Sequence, residues 1–229
     1  MKRVLSFCIW GDNPTYNIGA IKNAELAKIH YPGYECWFYI HIDSVPQNTI
    51  DSLTKLDNTK IIFKTGDITL HKPMCWRFEP IDDEEVEIML SRDTDTRILM
   101  REKLAVDEWL SSGKLFHIMR DHPHHYNPIY PINAGMFGTR KIPHILSWKN
   151  IIDDVANDGR YTDQILLNKF VYPNIVNDCL VHTSFSIYSN EISKRFPISY
   201  DNSYKFVGEY VYADESRSSY HIEELKNML

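Results

Sequence analysis

The chain has 229 residues, enough to bury a full core as a single α/β domain (1–229) without disulfides or other staples. A formal charge of −6, from 25 basic against 31 acidic residues, argues against a protein that wraps a nucleic-acid backbone, because such a surface needs a basic stripe. A hydrophobic share of 43% argues against disorder, and no apolar run approaches the roughly 20 residues that span a bilayer.

In chain order, Val4-Leu5-Ser6-Phe7-Cys8-Ile9-Trp10 is a nearly continuous apolar run, the pattern of a strand buried on both faces. Gly11-Asp12-Asn13-Pro14 ends it too early for the apolar core of a signal peptide, although Lys2 and Arg3 precede it. Ile18, Ile21, Ala24, Ala27 and Ile29 then recur at helical spacing up to the break at Pro32-Gly33. Cys36 to Ile42 and Lys60 to Lys64 are further strands, and Pro73 to Ile81 is a short helix. After the acidic turn Asp82 to Glu85, the run Val86, Ile88, Met89, Leu90 is a strand, and Leu99 to Leu110 an amphipathic helix. Leu115 to Met119 is a strand, Asn133 to Gly138 a small-residue strand or turn, and Pro143 to Val155 and Tyr161 to Phe170 are helices. Asp178 to His182 is a late strand, and the tail from Ser184 onward reads as polar, aromatic loop. Alternation of strand and helix predicts a mostly parallel central sheet flanked by helices. The four cysteines stand far apart with no zinc spacing, so buried free thiols in a reducing, cytoplasmic compartment are expected.

The chemistry concentrates in Ser91-Arg92-Asp93-Thr94-Asp95-Thr96-Arg97, directly after a buried strand. In extended chain, residues i and i+2 point the same way, so Asp93 and Asp95 can face one ligand. Holding two like charges together calls for a cation, although a solvated turn or a capping carboxylate would use the same residues. A phosphatase with an aspartyl nucleophile would need a Thr or Val two residues after the second Asp, where Arg97 stands, and would carry the motif on its first strand. Arg92 and Arg97 could assist phosphates or serve as salt-bridge partners. His122, His124 and His125 lie within four residues, but they lack helical i, i+4 geometry and a supporting carboxylate, so zinc is the less favoured reading.

Together, S-R-D-T-D-T-R, R-E-K-L-A-V-D-E-W-L, F-H-I-M-R-D-H-P, N-A-G-M-F-G and Y-T-D-Q-I-L-L resemble the small nucleotide-sugar glycosyltransferases of the A-type fold found in bacteria and large DNA viruses. The resemblance covers most of the chain up to about His182. It implies a Rossmann-like nucleotide-donor half at about 1–97 and an acceptor half with its tail at 98–229. It implies Mn2+ (or Mg2+) held by Asp93 and Asp95, with His182 completing the shell, and a UDP- or GDP-sugar donor. The donor would meet Trp10, Gly11, Asp12, Tyr16 and Asn17 after the first strand, with Arg77, Asp93, Asn133, Ala134, Gly135 and Gln164. Trp10 could equally be core. The acceptor would be a glycan or another hydroxyl compound. Asp121 and Asp163 are the candidates for catalysis, since an inverting enzyme needs a base near the acceptor hydroxyl and a retaining one can dispense with it. Rival readings are a metal-dependent nucleotidyl- or phosphotransferase and a catalytically silent carbohydrate- or nucleotide-binding module.

Overall fold

Strand β1 (Lys2–Ile9) sits in the interior of the sheet, and its side chains divide between two cores. Leu5, Phe7 and Ile9 pack on one face with the first two helices, while Val4 and Cys8 pack on the other. That is the period-two consequence of a strand covered on both sides. The computed structural model describes residues 1–68, 72–141, 148, 161–186 and 188–229.

Helix α1 (Pro14–His30) starts where Asn13 accepts a hydrogen bond from the Thr15 backbone N–H at 3.0 Å and Pro14 takes a first-turn position, where no amide hydrogen is required. Its buried face is made of Gly19, Ala20, Asn23, Ala24 and Ala27, small residues that bring the helix close to what lies beneath. β2 (Glu35–His41), α2 (Gln47–Thr54) and β3 (Thr59–Lys64) complete one flank. A 3-10 segment, Lys72–Asp82, then packs Cys75 and Phe78 into the second core before β4 (Val86–Ser91).

α3 (Met100–Ser111), β5 (Phe116–Arg120), β6 (Phe137–Arg140) and β7 (Cys179–Thr183) carry the chain to the other flank. Between β6 and β7 lies α4 (Thr162–Leu166), which runs through a π turn, Leu167–Val171, into α5 (Tyr172–Ile175). Among the described residues the strand order is β3-β2-β1-β4-β6-β5-β7-β8 in one eight-stranded sheet, with β8 (Ile192–Lys194) at its edge. All pairs are parallel except those of β6, which runs antiparallel to both β4 and β5. The reversal brings the chain entering β6 to the edge at which β1 and β4 end. There the Ser91 hydroxyl donates to the Ala134 carbonyl at 2.7 Å.

Among the described residues the expected order of strands and helices is present up to β7, and all four cysteines are buried and free. The tail corrects the sequence reading. It contains an edge strand, β8 (Ile192–Lys194), and a helix, α6 (Ser219–Met228), which begins where the Ser218 hydroxyl caps His221. Both are short and bury few apolar side chains, so hydrophobic periodicity gave no sign of them. The helix expected over Pro143 to Val155 lies outside the described residues except for Trp148, which stacks on Phe78. No helix among the described residues is long and apolar enough to cross a membrane.

Candidate active site

A cleft of about 660 Å3 opens at the carboxyl ends of β1 and β4, the edge where open α/β sheets generally bind ligands. Trp10, Gly11, Asp12 and Tyr16 line it from the end of β1, Asp93, Thr94 and Asp95 from the loop after β4, and Asn133, Ala134 and Gly135 from the approach to β6. Arg77 reaches it from the 3-10 segment, and Tyr161, Asp163 and Gln164 from the start of α4. Eleven widely separated candidates thus meet in one place, along with Asp95.

The acidic loop is held rigidly. The Asn23 amide, buried in α1, donates to the Thr96 carbonyl at 2.8 Å, and its oxygen accepts from the Ile98 N–H at 3.0 Å. Gly19, one turn earlier, lies against the Thr94 backbone, and a Cβ there would overlap the Thr94 carbonyl. Gly135 is glycine for a related reason: any side chain would overlap the Asp93 carboxylate.

Buried Arg77 joins the two halves of the cleft, one guanidinium nitrogen bonding the Asp93 carboxylate and the other Asp163 at 2.5 Å. Burial opposes its charge, but Asp93, Cys8 and Asp163 hold its pKa well above the ordinary value. Its Nε has no hydrogen-bond partner among the described residues. Asp163 is pushed up by burial, with Arg77 pulling the other way. Asp95 is pushed up to about 7, first by burial and then by the charge of Asp93. Cys8 also lines the cleft, but burial raises its thiol to about 12, so it is no nucleophile at neutral pH.

Three further lining residues fall outside the donor-binding, catalytic and Asp93, Asp95 and His182 metal candidates. His125 accepts the Asp121 N–H at Nδ1 (3.0 Å), which leaves Nε2 as an N–H donor, and burial lowers its pKa to about 3, so the ring is neutral. Gly208, at φ +79°, lies against Met136 and His125, bringing the tail into the cleft wall. Next to it, the Val211 N–H donates to the Asp95 carbonyl at 2.8 Å. Tyr161 lines the rim and stacks on Tyr130. A glycine and a histidine in polar stretches carry no periodic signal, although a left-handed glycine inside a tail is a hint of close approach.

Three candidates lie outside the lining of the cleft. Asn17 does not line the cleft; its amide donates to the Gly11 and Asn13 carbonyls and so shapes the loop after β1. Asp121 is fully buried and occupied: Arg101 bonds both its oxygens at 2.8 and 2.9 Å, and Ser184, Tyr200 and the Val207 N–H also donate to it. No lone pair is left for an acceptor hydroxyl, so it is a structural hub rather than a base. His182 lies beneath α3, bonded to His117 at 2.8 Å and to Glu108 at 3.0 Å, and does not line the cleft. Arg92 pairs with Glu102 at 2.6 Å and Arg97 with Glu215 at 2.8 Å.

Asp93 and Asp95 both line the cleft, and after burial the charge of Asp93 is what raises Asp95, a repulsion that a hard divalent cation held by the two carboxylates would relieve.

No protein-family profile matches the chain, and no curated protein matches it in sequence. Solved structures do resemble it. A glycosyltransferase involved in glycosylation of the major capsid of PBCV-1 has a TM-score of 0.50 at 19% identity, covering 80% of this chain and 82% of that one. The galactosyltransferase LgtC, in complex with donor and acceptor sugar analogues, has a TM-score of 0.51 at 12% identity, covering 78% and 73%. An active-site glutamine-to-glutamate mutant of LgtC has a TM-score of 0.51 at 12% identity, covering 99% and 96%. The chain has the α/β fold of these glycosyltransferases, as its motifs led us to expect.

Proposed function

We propose that the chain is a metal-dependent glycosyltransferase that moves a sugar from a nucleoside-diphosphate donor, a UDP- or GDP-sugar, to a hydroxyl of a glycan or similar acceptor. The observation that carries this reading is the meeting of Asp93, Asp95, Asp163 and Gln164 in one cleft at the strand ends of this fold. LgtC, which shares the fold, forms a complex with donor and acceptor sugar analogues and has an active-site glutamine that was mutated to glutamate. Gln164 is the one glutamine among the described residues that line the cleft.

In this reading Trp10 and Tyr16 cover the base, and backbone groups at Gly11 read its edge. Asp95 and Asp93 would hold Mn2+ or Mg2+, which supplies charge neutralisation for the departing diphosphate. Arg77 fixes Asp93 and Asp163 relative to each other, so the carboxylates are oriented before substrate arrives. Asp163 and Gln164 would bind hydroxyls of the transferred sugar, with Gly135 admitting close approach. The neutral His125 would donate from Nε2 on the side walled by Met136 and Gly208. Catalysis then comes mainly from orientation and electrostatic preorganisation.

A thermal-shift screen of UDP-, GDP-, TDP- and CMP-sugars, each with and without Mn2+, tests the proposal, because a ligand of the native state raises Tm. One donor class should raise Tm only with the metal and be slowly hydrolysed. A screen with no response to any donor would remove the proposal. Binding without hydrolysis or transfer would favour a silent binding module.

A further inference from the structure

The turn after β5 and the C-terminal helix build a second cluster, apart from the cleft aspartates. The sequence places His122 and His124 beside Asp121, whose carboxylate is taken by Arg101; α6 supplies another from about a hundred residues further on. Glu224 Oε2 stands 2.9 Å from His124 Nε2 and 3.8 Å from His122 Nε2. One ligand atom from each of the three residues lies within 4.8 Å of the others. A tetrahedral shell with bonds of about 2.0–2.1 Å has ligand-to-ligand edges of roughly 3.3 Å, which the two measured separations bracket.

A second observation bears on the same point. Glu224 Oε2 is buried and accepts no well-aligned hydrogen bond from the described residues, although His124 Nε2 stands 2.9 Å away. A carboxylate oxygen set among imidazole nitrogens with no aligned donor can be satisfied by a cation placed between them. His221 precedes Glu224 by one helical turn, and its ring packs 5.4 Å from that of His122 and 5.2 Å from that of His124. His124 is about half exposed and Glu224 partly so, which leaves a path of entry, while His122 forms the buried floor.

We propose that His122, His124 and Glu224 form a binding site for a borderline transition-metal cation, with Zn2+ as the fitting ion and water or His221 filling the remaining position. Two imidazoles and one carboxylate select Zn2+, Co2+ or Ni2+ over Mn2+ or Mg2+, in contrast to the oxygen-only pair Asp93 and Asp95. Binding has a cost. At present His122 accepts the His124 N–H at Nδ1 (3.2 Å) and donates from Nε2 to the His221 carbonyl (3.0 Å). Ligation through Nε2 shifts that proton to Nδ1 and releases both bonds, which makes this a site of moderate affinity.

Occupancy would staple α6, whose only buried residue is Leu225, to the turn after β5. The tail between them contains Gly208 of the cleft wall and Val211, bonded to Asp95. The ion would thus brace the cleft from behind without touching substrate.

The test uses the full chain stripped with EDTA, titrated with CoCl2 by visible absorption and with ZnCl2 by calorimetry. Expected are about one equivalent bound at micromolar affinity or tighter, d–d absorption of a four- or five-coordinate Co2+, and a rise in Tm with Zn2+. His124→Ala and Glu224→Ala alter side chains that reach solvent, and each should weaken binding at least about tenfold, whereas Asp95→Asn should leave it unchanged. Absence of saturable binding, unchanged affinity in either variant, or displacement of Co2+ by equimolar Mn2+ would overturn the proposal.

Discussion

Gly19 of α1 and Thr94 of the acidic loop are packed backbone against backbone, so closely that a methyl group on Gly19 would overlap the Thr94 carbonyl oxygen and approach the Arg97 guanidinium to 2.9 Å. The first helix therefore sets the position of the two carboxylates through the absence of a side chain. In most helix interiors Gly→Ala stabilises by up to about 1 kcal/mol. Here the sign should reverse: Gly19→Ala should cost about 1–3 kcal/mol, the usual range for overpacking. Urea denaturation reads the stability, and Mn2+-dependent donor binding should weaken in the same variant because the loop has moved. A stabilised Gly19→Ala chain would show that the loop yields freely.

Arg77 neutralises two carboxylates from a buried position, and removing it leaves Asp163 charged and unpaired. Loss of one partner of a buried ion pair typically costs about 3–5 kcal/mol. Arg77→Met should therefore be strongly destabilised, more at pH 8 than at pH 5, because burial already raises Asp163 and loss of the guanidinium raises it further, so that lowering the pH favours its neutral form. Denaturant midpoints at the two pH values check the difference; equal losses at both would mean that the guanidinium contributes packing rather than charge.

Much of the fold was readable because β1, β2 and β4 are long apolar runs ended by turn residues, and burial on both faces allows little else. The acidic pair was readable for the same reason, since Asp93 and Asp95 follow directly on β4. Asp121 and His182 also stand at strand ends, and sequence alone cannot separate them from Asp93. What distinguishes them is distant: Arg101, Ser184 and Tyr200 close around Asp121, and Glu108 and His117 around His182. The tail was unreadable because the apolar residues that anchor it, Phe196, Phe206, Val207 and Val211, stand outside its strand and helix at no regular spacing, and polar contacts, Val211 to Asp95, Arg217 to Glu209 at 2.7 Å, and Arg97 to Glu215, hold the rest.

The burial of Asp121 yields a prediction opposite to that for a catalytic base. Asp121→Asn leaves Arg101 buried without its bidentate carboxylate and should cost about 3–5 kcal/mol. Donor binding per folded molecule, measured at low temperature by calorimetry with Mn2+, should be retained. A stable variant that binds donor but no longer transfers sugar would restore Asp121 to the chemistry.

Asp95 couples stability, pH and metal. Its pKa is about 7 in the folded chain against an ordinary 3.8, so the metal-free folded state binds more protons than the unfolded state between these values. The contribution is fully present below pH 3.8 and is lost as pH rises through 7, so this group makes the metal-free protein less stable at pH 8 than at pH 5. Asp95→Asn removes the buried charge and should raise the metal-free Tm at pH 8 by several degrees, at about 2–4 °C per kcal/mol for a chain of this size. The same variant should lose the Mn2+ response. In the parent chain the ion must displace the Asp95 proton below pH 7, so Mn2+ affinity should fall roughly tenfold per pH unit there and level off above it. Calorimetry from pH 5.5 to 8.5 measures the slope, and a pH-independent affinity would show that Asp95 is not a ligand.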